Sequence, residues 1–241
     1  MTAPHAVILA GGKGTRLRPF TITLPKPLVP IGDESSILEI VIRQLAHQGF
    51  GSATLAIGHF GELIEAYVGD GSQWGMKIDY AREKEPLGTM GPVVQVADRL
   101  PEHFLVLNGD TLTELDYAEF LARHAASGAP ITVATSRREA RIEFGVLEIG
   151  ERNQVVGFRE KPAIPYTVAI GVYAVSRSTL QRYPAGEPLG FDGLMRDLID
   201  ARAGALSHDF DGFWLDIGRP EDYDRANVEF QEIRARLLPD S

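Results

Sequence analysis

Short apolar runs alternate with segments of helical spacing along most of the chain. The clearest runs have the length of strands and are Ala6–Ala10, Thr54–Ile57, Phe104–Leu107 and Ile131–Ala134. Apolar strands separated by amphipathic helices are typical of a mostly parallel sheet that is covered on both faces. The pattern therefore predicts an α/β fold, with a Rossmann-like, mostly parallel sheet flanked by helices.

One predicted helix is marked at both ends. Ser36 and Glu39 have the spacing of a capping box ahead of a run of apolar positions, and Gly49 stands where the helix should end. Other segments with helical spacing are Tyr117–Ser127, Leu194–Arg202 and Glu221–Leu237.

Between Gly145 and Tyr173 the helical spacing disappears. The segment consists of short β-rich pieces, GVLEI, VVGF and VAIGVY, which are interrupted by Glu160-Lys161-Pro162. We predict that it forms a small inserted β layer that lies over the active site like a lid.

The composition predicts how many domains the protein has and where it is located. A chain of 241 residues, 44% of them hydrophobic, can bury one sizeable core, so we expect a single domain over residues 1–241. No hexapeptide repeat indicates a left-handed β-helix. The apolar run near the amino terminus lacks a basic flank, and no stretch of about eighteen uncharged apolar residues occurs. Together with the absence of cysteine, this predicts a soluble, cytoplasmic protein.

The chain is acidic, with 33 Asp and Glu against 24 Lys and Arg and a net charge of -9. An excess of negative charge argues against nucleic acid and against anionic membranes as partners. Local cations or a metal ion must therefore hold any small polyanionic ligand. Self-association into a homo-oligomer is left open by the sequence.

A glycine-rich segment follows the first predicted strand and combines Gly11, Gly12 and Gly14 with several basic side chains. Backbone N–H groups next to glycine can approach phosphate oxygens closely, and the basic side chains supply positive charge. The segment lacks the Gly-Lys-Ser/Thr end of a P-loop and the third glycine of the dinucleotide fingerprint. It predicts a phosphate-binding loop of a different kind; a plain glycine turn with solvated cations is the alternative.

Prolines stiffen the next segment, Pro25–Pro30, which carries Lys26. Each proline fixes its own φ and keeps the preceding residue extended, so Lys26 has little freedom. A lysine on an ordinary surface turn is the alternative, but a cation on a rigid frame just after a phosphate loop favours a functional role.

Asp110 follows the apolar run Phe104–Leu107, with Asn108 and Gly109 between them. Open α/β sheets bind ligands at the carboxyl ends of their strands. Magnesium prefers oxygen ligands and often takes only one or two carboxylates together with phosphate oxygens and water. Asp110 is therefore a candidate magnesium ligand, although an aspartate at a strand end also commonly caps a turn.

These segments resemble the signature of the sugar-1-phosphate nucleotidyltransferase family. The resemblance begins at GGKGTRLRPFT, continues at PKPLVPIG, and returns at Glu85–Thr89, Asn108–Asp110, Glu160–Pro162 and Trp214–Gly218. It spans nearly the whole chain. Within the family, the sequence is most similar to mannose- or heptose-1-phosphate guanylyltransferases, with glucose-1-phosphate thymidylyl- and uridylyltransferases close behind.

The resemblance implies a magnesium-dependent reaction between a nucleoside triphosphate and a sugar-1-phosphate, or a sugar-like cyclitol phosphate, with release of pyrophosphate. It implies that Asp216 is a second metal ligand beside Asp110; an aspartate that caps a helix or turn is the alternative for Asp216 as well. It also implies that Lys161 binds the sugar phosphate and Glu160 the sugar hydroxyls, which suits a cation and an acceptor-only carboxylate. An exposed ion pair is the alternative for Glu160 and Lys161, and a β-bulge glycine for Gly145.

The full set of expected roles follows from this resemblance. The expected catalytic residues are Arg16, Lys26, Asp110, Lys161 and Asp216. Of these, Lys161 is also expected to bind the substrate. The expected nucleotide-binding residues are Leu9, Ala10, Gly11, Gly12, Gly14, Thr15, Glu85, Pro86, Gly88, Thr89 and Asp110. The expected residues that bind the sugar phosphate are Asn108, Gly109, Gly145, Glu160 and Lys161.

The nucleotide base is open. Glu85 lies in the segment that matches the base-reading loop of the family, and a carboxylate can accept both N1–H and N2–H₂ of guanine, which favours GTP. Glu83 is an equal candidate for this role, and dTTP or UTP are the alternatives to GTP. A nucleotide-sugar-binding relative without turnover, and a cytidylyltransferase for a non-sugar alcohol phosphate, are the competing functions.

Overall fold

The structure, a computed structural model, describes residues 3–32 and 35–238. Its strands, numbered in chain order, are β1 His5–Leu9, β2 Pro30–Ile31, β3 Ser35–Ser36, β4 Ser52–Ile57, β5 Lys77–Arg82, β6 His103–Asn108, β7 Thr111–Thr113, β8 Ile131–Arg141, β9 Val146–Ile149, β10 Val155–Arg159, β11 Ala163–Ser176, β12 Leu206–Asp209 and β13 Trp214–Asp216. Its α-helices are α1 Ile37–His47, α2 Gly61–Val68, α3 Gly91–Val96, α4 Tyr117–Ser127, α5 Arg177–Leu180, α6 Phe191–Asp200 and α7 Pro220–Leu237.

Within these residues, a seven-stranded sheet runs in the order β12-β8-β11-β6-β1-β4-β5. Neighbouring strands are parallel except at β11, which is antiparallel to both β6 and β8. The predicted α/β fold with a mostly parallel, Rossmann-like sheet is confirmed. The parallel strands end at a common edge, and the segments that follow β1, β4, β5 and β6 meet there.

Both faces of the sheet are buried under helices. Successive residues of a strand point to opposite faces, and accordingly Val7 packs in one apolar cluster and Ile8 in another. The cluster around Ile8 includes α1, α2 and α4, and the cluster around Val7 includes α3 and α6. A third cluster joins α7 to β7, β13 and the segment around Leu17. It thereby connects the segment after β1 with the segment around Asp216.

The elements predicted from apolar spacing lie where expected. Each predicted strand falls largely within β1, β4, β6 or β8, and α4 has the predicted bounds. The Ser36 side chain caps α1 by accepting from the Glu39 backbone N–H at 3.2 Å, as the capping-box spacing predicts. None of the helices in the described residues is long and apolar enough to cross a bilayer.

The predicted β layer is divided between two structures. Strands β9 and β10 form a separate antiparallel hairpin, but VAIGVY belongs to β11 and enters the main sheet between β6 and β8. Assigning that piece to the inserted layer was wrong, because alternation along one strand does not reveal which strands lie beside it. Beyond the sheet, residues 137–141 of β8 and 163–167 of β11 pair with each other as an exposed two-stranded extension, called the ribbon below.

Candidate active site

A cleft of about 350 Å³ opens at the carboxyl edge of the sheet, next to the ends of β1, β4 and β6. Strand β1 lies between β4, the next strand of the sheet along the chain, on one side and β6 on the other. Open α/β sheets bind ligands at such a point, where the strand order reverses. The residues that line the cleft are Leu9, Ala10, Gly11, Gly12, Lys26, Pro27, Ala56, Glu83, Pro86, Gly88, Thr89, Pro92, Asn108 and Asp110.

The glycine-rich loop borders the cleft directly after β1. Ala10 N–H donates to the Ala56 carbonyl at 2.8 Å, which extends the β1–β4 pairing past the strand end. Gly14 has φ +60°, and a Cβ at this position would lie 3.0 Å from Cβ of Lys26 and from the Thr21 side chain. The Thr21 hydroxyl holds the turn by donating to the Gly14 carbonyl at 2.7 Å. Glycine at position 14 therefore lets the Lys26 side chain pass beside the loop.

Lys26 forms an ion pair with Asp110. Its Nζ donates to Asp110 Oδ2, and the lysine as a whole is only 8% exposed. Lys26 begins a short 3₁₀ turn between Pro25 and Pro27, the rigid frame that the sequence predicts. A buried ammonium needs a partner because burial removes its hydration. Asp110 is that partner in the structure.

Asp216 lies next to Asp110. Strands β7 and β13 pair so that Asp216 is opposite Thr111, and Ile217 N–H donates to the Asp110 carbonyl at 3.2 Å. Burial raises the pKa of Asp216 and the charge of Asp110 raises it further, while Lys26 and Arg16 oppose the increase. The structure thus brings together the two carboxylates that the sequence analysis selects as metal ligands.

Arg16 approaches the same carboxylates from the 3₁₀ turn that follows the glycine loop. A Cβ on Gly218 would lie 3.3 Å from Asp216 Oδ2 and 3.8 Å from Arg16 Nη1, so the guanidinium and the carboxylate flank this glycine. Asp222 Oδ2 lies 3.6 Å from the same position, so two cations and three carboxylates lie close together beside the cleft. The cleft lining includes Lys26 and Asp110 but neither Arg16 nor Asp216.

These side chains fit a magnesium ion. Asp110 and Asp216 supply carboxylate oxygens, and Thr111 Oγ1 is buried beside them without a hydrogen-bond partner in the described residues. Among residues 3–32 and 35–238, no group of three or more His, Cys, Asp or Glu side chains is placed to hold a metal. The remaining ligands would have to be phosphate oxygens and water, which is the usual coordination of protein-bound magnesium.

The loop after β5 borders the cleft opposite Asp110. Glu83 N–H donates to the Ile57 carbonyl at 2.9 Å, and Glu83 Oε1 accepts from Leu87 N–H at 2.9 Å. A Cβ on Gly11 would lie 2.5 Å from Glu83 Oε2, so this oxygen faces the glycine loop. Burial raises the pKa of Glu83, and the Leu87 N–H opposes the increase. Glu83 lines the cleft, whereas Glu85 is exposed and lies outside the lining.

Most of the predicted nucleotide-binding residues line this cleft. Those outside the lining are Gly14, Thr15 and Glu85. Pro27, Ala56 and Pro92 also line the cleft, although none of them was predicted from the sequence. Pro92 had a usable signal, because Gly91-Pro92 marks the start of α3. Ala56 had none, since its place at the cleft depends on how β4 pairs with β1.

The residues predicted to bind the sugar phosphate are divided. Asn108 lines the cleft, and Gly109 N–H donates to the Leu9 carbonyl at 2.9 Å, which fixes the approach to Asp110. Glu160 and Lys161 are exposed and lie between β10 and the ribbon, outside the cleft lining. Their roles stay predictions.

Gly145 lies on the hairpin side of the ribbon, close to Glu160. A Cβ at Gly145 would lie 2.6 Å from the Phe158 ring and 3.2 Å from Glu160 Oε2. It therefore packs against the hairpin and does not line the cleft. Contact with a sugar stays a prediction for this glycine too.

Comparison with known proteins identifies relatives across the chain. Residues 5–233 match the family model described as Nucleotidyl transferase. A mannose-1-phosphate guanylyltransferase of Mycobacterium tuberculosis is 34% identical over 229 residues, which are 93% of this chain and 64% of that protein. A UTP–glucose-1-phosphate uridylyltransferase of Synechocystis is 31% identical over 255 residues, or 97% of this chain and 66% of that protein. The chain thus spans slightly less than two thirds of the length of these relatives.

The fold has close counterparts among solved structures. The crystal structure of HddC from Yersinia pseudotuberculosis complexed with GMP-PN has a TM-score of 0.73 and is 27% identical. The comparison covers 94% of this chain and 99% of that chain. Because the family model extends over nearly all of the described residues, including all those that line the cleft, the chain belongs to the nucleotidyl transferase family.

Proposed function

We propose that this protein transfers a nucleoside monophosphate, by preference GMP, from a nucleoside triphosphate to a sugar-1-phosphate or a sugar-like cyclitol phosphate, and releases pyrophosphate. The observation that carries the proposal is the convergence of Lys26, Arg16, Asp110 and Asp216 at a cleft bordered by a glycine-rich loop. Such a site is suited to reactions between two polyanions. Magnesium, held by Asp110 and Asp216, would supply a Lewis acid for the triphosphate.

The reaction is an in-line displacement at the α-phosphorus. A phosphate oxygen of the sugar-1-phosphate forms the new P–O bond, and the bond between the α-phosphorus and the oxygen that leads to the β-phosphate breaks. The nucleophile is ionised at neutral pH, so no general base is required. The barrier comes from repulsion between the anions and from charge on the departing pyrophosphate, which fixed cations reduce.

The cations of the site have different tasks in this proposal. Arg16 neutralises the departing β- and γ-phosphates, and Lys26 binds the α-phosphoryl group and the incoming phosphate. The Lys26 ammonium has three donors, and its hydrogen bond to Asp110 uses one of them. Lys161 binds the sugar phosphate and Glu160 the sugar hydroxyls, which requires the acceptor to extend from the cleft towards the end of the ribbon.

Glu83 is the residue we propose to recognise the base. It lines the cleft and one oxygen is engaged by Leu87 N–H, so the carboxylate is held in a fixed orientation. Its acceptor oxygens suit the N1–H and N2–H₂ donors of guanine. The Yersinia structure in complex with GMP-PN and the mannose-1-phosphate guanylyltransferase relative support a guanine nucleotide.

The second candidate is a uridylyl- or thymidylyltransferase. The uridylyltransferase from Synechocystis, 31% identical, favours it, and backbone groups at Gly88 in the cleft lining are available to a pyrimidine base. A matrix of GTP, UTP, dTTP and CTP against mannose-, glucose- and heptose-1-phosphate, read by pyrophosphate release, separates these functions.

The proposal expects magnesium-dependent pyrophosphate release that requires a sugar-1-phosphate and is fastest with GTP. Faster release with UTP or dTTP would replace the guanylyl assignment and keep the reaction class. Nucleotide binding without pyrophosphate release for any pair would identify a non-catalytic relative instead.

A further inference from the structure

The ribbon depends on contacts with the rest of the protein for its position. Residues 137–141 and 163–167 are exposed and pair with each other beyond the edge of the main sheet. A two-stranded antiparallel unit is at best marginally stable in water on its own. The same ribbon leads directly to Glu160 and Lys161, which precede β11. Whatever fixes the ribbon therefore also fixes these two residues.

Arg138 of the ribbon contacts Trp214, which lies outside the ribbon in strand β13. Its guanidinium carbon lies 4.8 Å from the centroid of the Trp214 ring, within the range of a cation–π interaction. Trp214 is half-buried, and its indole Nε1 is buried without a hydrogen-bond partner in the described residues. The ring packs against the apolar cluster around Ile8 and presents its face to Arg138 of the ribbon.

Trp214 and Asp216 are two residues apart in β13, so their side chains leave the strand on the same face. The contact therefore joins the ribbon to the strand that carries the second carboxylate of the cleft. Arg137, the neighbouring residue of the ribbon, points to the opposite face and pairs with Asp209 at 2.7 Å. In that pair the side chains are 82% and 51% exposed.

We infer that Arg138 is a positioning residue: by stacking on Trp214 it holds the ribbon, and with it Glu160 and Lys161, at a fixed place relative to Asp216. The inference rests on the proposed function, because it concerns the acceptor side of the same reaction. The Arg137–Asp209 pair is too exposed to do this, since solvent-exposed ion pairs contribute little to stability.

Steady-state kinetics of matched variants test the inference. Arg138→Gln removes the cation from the ribbon, and Arg137→Gln removes a cation from the adjacent residue on the other face. Arg138 is itself exposed, and a cation–π contact at an exposed site changes an equilibrium by about twofold to fivefold, so Arg138→Gln should raise KM for the sugar-1-phosphate by such a factor. KM for the triphosphate should stay within about twofold, as the Arg138 contact lies outside the cleft lining.

Two control variants show whether the effect on the acceptor KM is specific to the Arg138 contact. Arg137→Gln should leave both KM values within about twofold of the parent, as expected for an exposed ion pair. Arg138→Lys keeps a cation but loses the planar stack, so it should recover part of the lost acceptor affinity. Equal effects of Arg137→Gln and Arg138→Gln, or an unchanged acceptor KM in Arg138→Gln, would overturn the inference.

A fluorescence measurement tests the contact without any turnover. The protein has two tryptophans, so Trp74→Phe leaves Trp214 as the only indole reporter. In this background Arg138→Gln should shift the Trp214 emission of the ligand-free protein, and Arg137→Gln should not. Identical emission spectra with and without Arg138 would show that the stack is absent in solution and would overturn the inference.

The same reporter separates this inference from the proposed function. Titration of the Trp74→Phe protein with mannose-1-phosphate should change Trp214 emission, and Arg138→Gln should shift the midpoint to higher concentration. A parent protein that binds this probe but transfers no nucleotide would refute the proposed function and leave the role of Arg138 in place. Far-UV circular dichroism of each variant verifies that it is folded.

Discussion

Lys26 and Asp110 neutralise each other: the lysine ammonium donates to Asp110 Oδ2 inside the cleft. Arg16 and Asp216 lie beside this pair, and Asp222 adds a third carboxylate close to Asp216. A divalent ion alone would have to compete with the Lys26 ammonium for Asp110. An ion that arrives together with a triphosphate brings its own compensating anion, so metal and nucleotide should bind jointly.

Lys26→Gln should therefore have opposite effects on the two ligands. Without the competing ammonium, the nucleotide-free protein should bind Mn²⁺ or Mg²⁺ more tightly, by about fivefold or more if the ion pair is worth at least ~1 kcal/mol. Binding of the magnesium–triphosphate complex should weaken because a phosphate contact is lost. Calorimetric titration with each ligand gives both values.

The exposed Lys84, also near the cleft but outside its lining, provides the control for Lys26. Lys84→Gln should leave the metal affinity of the nucleotide-free protein unchanged. Weaker metal binding in Lys26→Gln would contradict the competition between the ammonium and the ion.

Asp110→Asn should lower turnover by about a hundredfold or more, because it removes a fixed charge that the transition state needs. The stability cost should be about 3 kcal/mol, because the asparagine oxygen still accepts a hydrogen bond from buried Lys26 but no longer neutralises its charge. Turnover number and urea denaturation are measured on the same preparation, with the exposed Asp98→Asn as control. Near-normal turnover in a folded Asp110→Asn protein would place the metal site elsewhere.

Glu83→Gln should reduce the preference for GTP over UTP by about tenfold to a hundredfold, the usual effect of leaving a base-edge group unpaired. The glutamine oxygen can keep the hydrogen bond to Leu87 N–H, so the loop should stay in place. Its NH₂ group would replace an acceptor with a donor. The measurement is the ratio of kcat/KM for the two triphosphates with one acceptor.

Glu85→Gln is the matched comparison for Glu83, because Glu85 is exposed and outside the cleft lining. It should change the GTP to UTP ratio by no more than about twofold. If Glu85→Gln changed the GTP to UTP ratio more than Glu83→Gln, Glu85 would be the residue that recognises the base.

Gly88→Ala should weaken nucleotide binding and lower the thermal midpoint. Gly88 has φ +77°, and a Cβ would lie 2.8 Å from the Leu189 carbonyl oxygen. That carbonyl also accepts from Met90 N–H at 2.8 Å and holds the loop beside the cleft. Added atoms would push the loop away from this support.

Gly75→Ala is a control that isolates the backbone effect. Gly75 has φ +70°, but a Cβ there would meet nothing within 4 Å. Its cost should be limited to about 1–2 kcal/mol of left-handed strain, without loss of nucleotide affinity. If Gly88→Ala lowered stability and affinity no more than Gly75→Ala, the contact with Leu189 would have no role.

His124 should make the protein less stable in mild acid. It is 1% exposed, and its ring nitrogens bond to Thr132 Oγ1 at 2.8 Å and Ser176 Oγ at 3.2 Å. Burial lowers the pKa of His124 to about 4, and His103 adds to the decrease. The unfolded chain takes up this proton near pH 6.5 and the folded protein only near pH 4. Stability should therefore fall as the pH decreases through this window.

The expected loss from His124 alone is about 3 kcal/mol by pH 4, at 1.36 kcal/mol per pKa unit. Urea denaturation at intervals between pH 7.5 and 4 measures it. His124→Gln should flatten this part of the profile, and the exposed His59→Gln should leave it as in the parent. An unchanged slope in His124→Gln would assign the acid sensitivity to other groups.

Local sequence patterns were sufficient to predict many of the strands and helices and part of the candidate site. Continuous apolar runs revealed four of the parallel strands, β1, β4, β6 and β8, but not β5 and β12. Glycine and proline spacing revealed the loop and the frame of Lys26. The direction of β11 could not be predicted, because an antiparallel strand inside a parallel sheet has the same apolar alternation. Nor could the sequence decide between Glu83 and Glu85, since the hydrogen bond to Leu87 N–H determines which carboxylate enters the cleft.

The order of these elements along the chain has a consequence for translation. The glycine loop, Lys26 and Asp110 are synthesised well before Asp216, which joins them only when β13 pairs with β7. A ribosome-bound chain that has just completed β7 therefore has one carboxylate of the pair and a lysine able to neutralise it. Nascent chains should consequently have little affinity for free magnesium, and nucleotide binding should begin only after Trp214–Asp216 has left the ribosome.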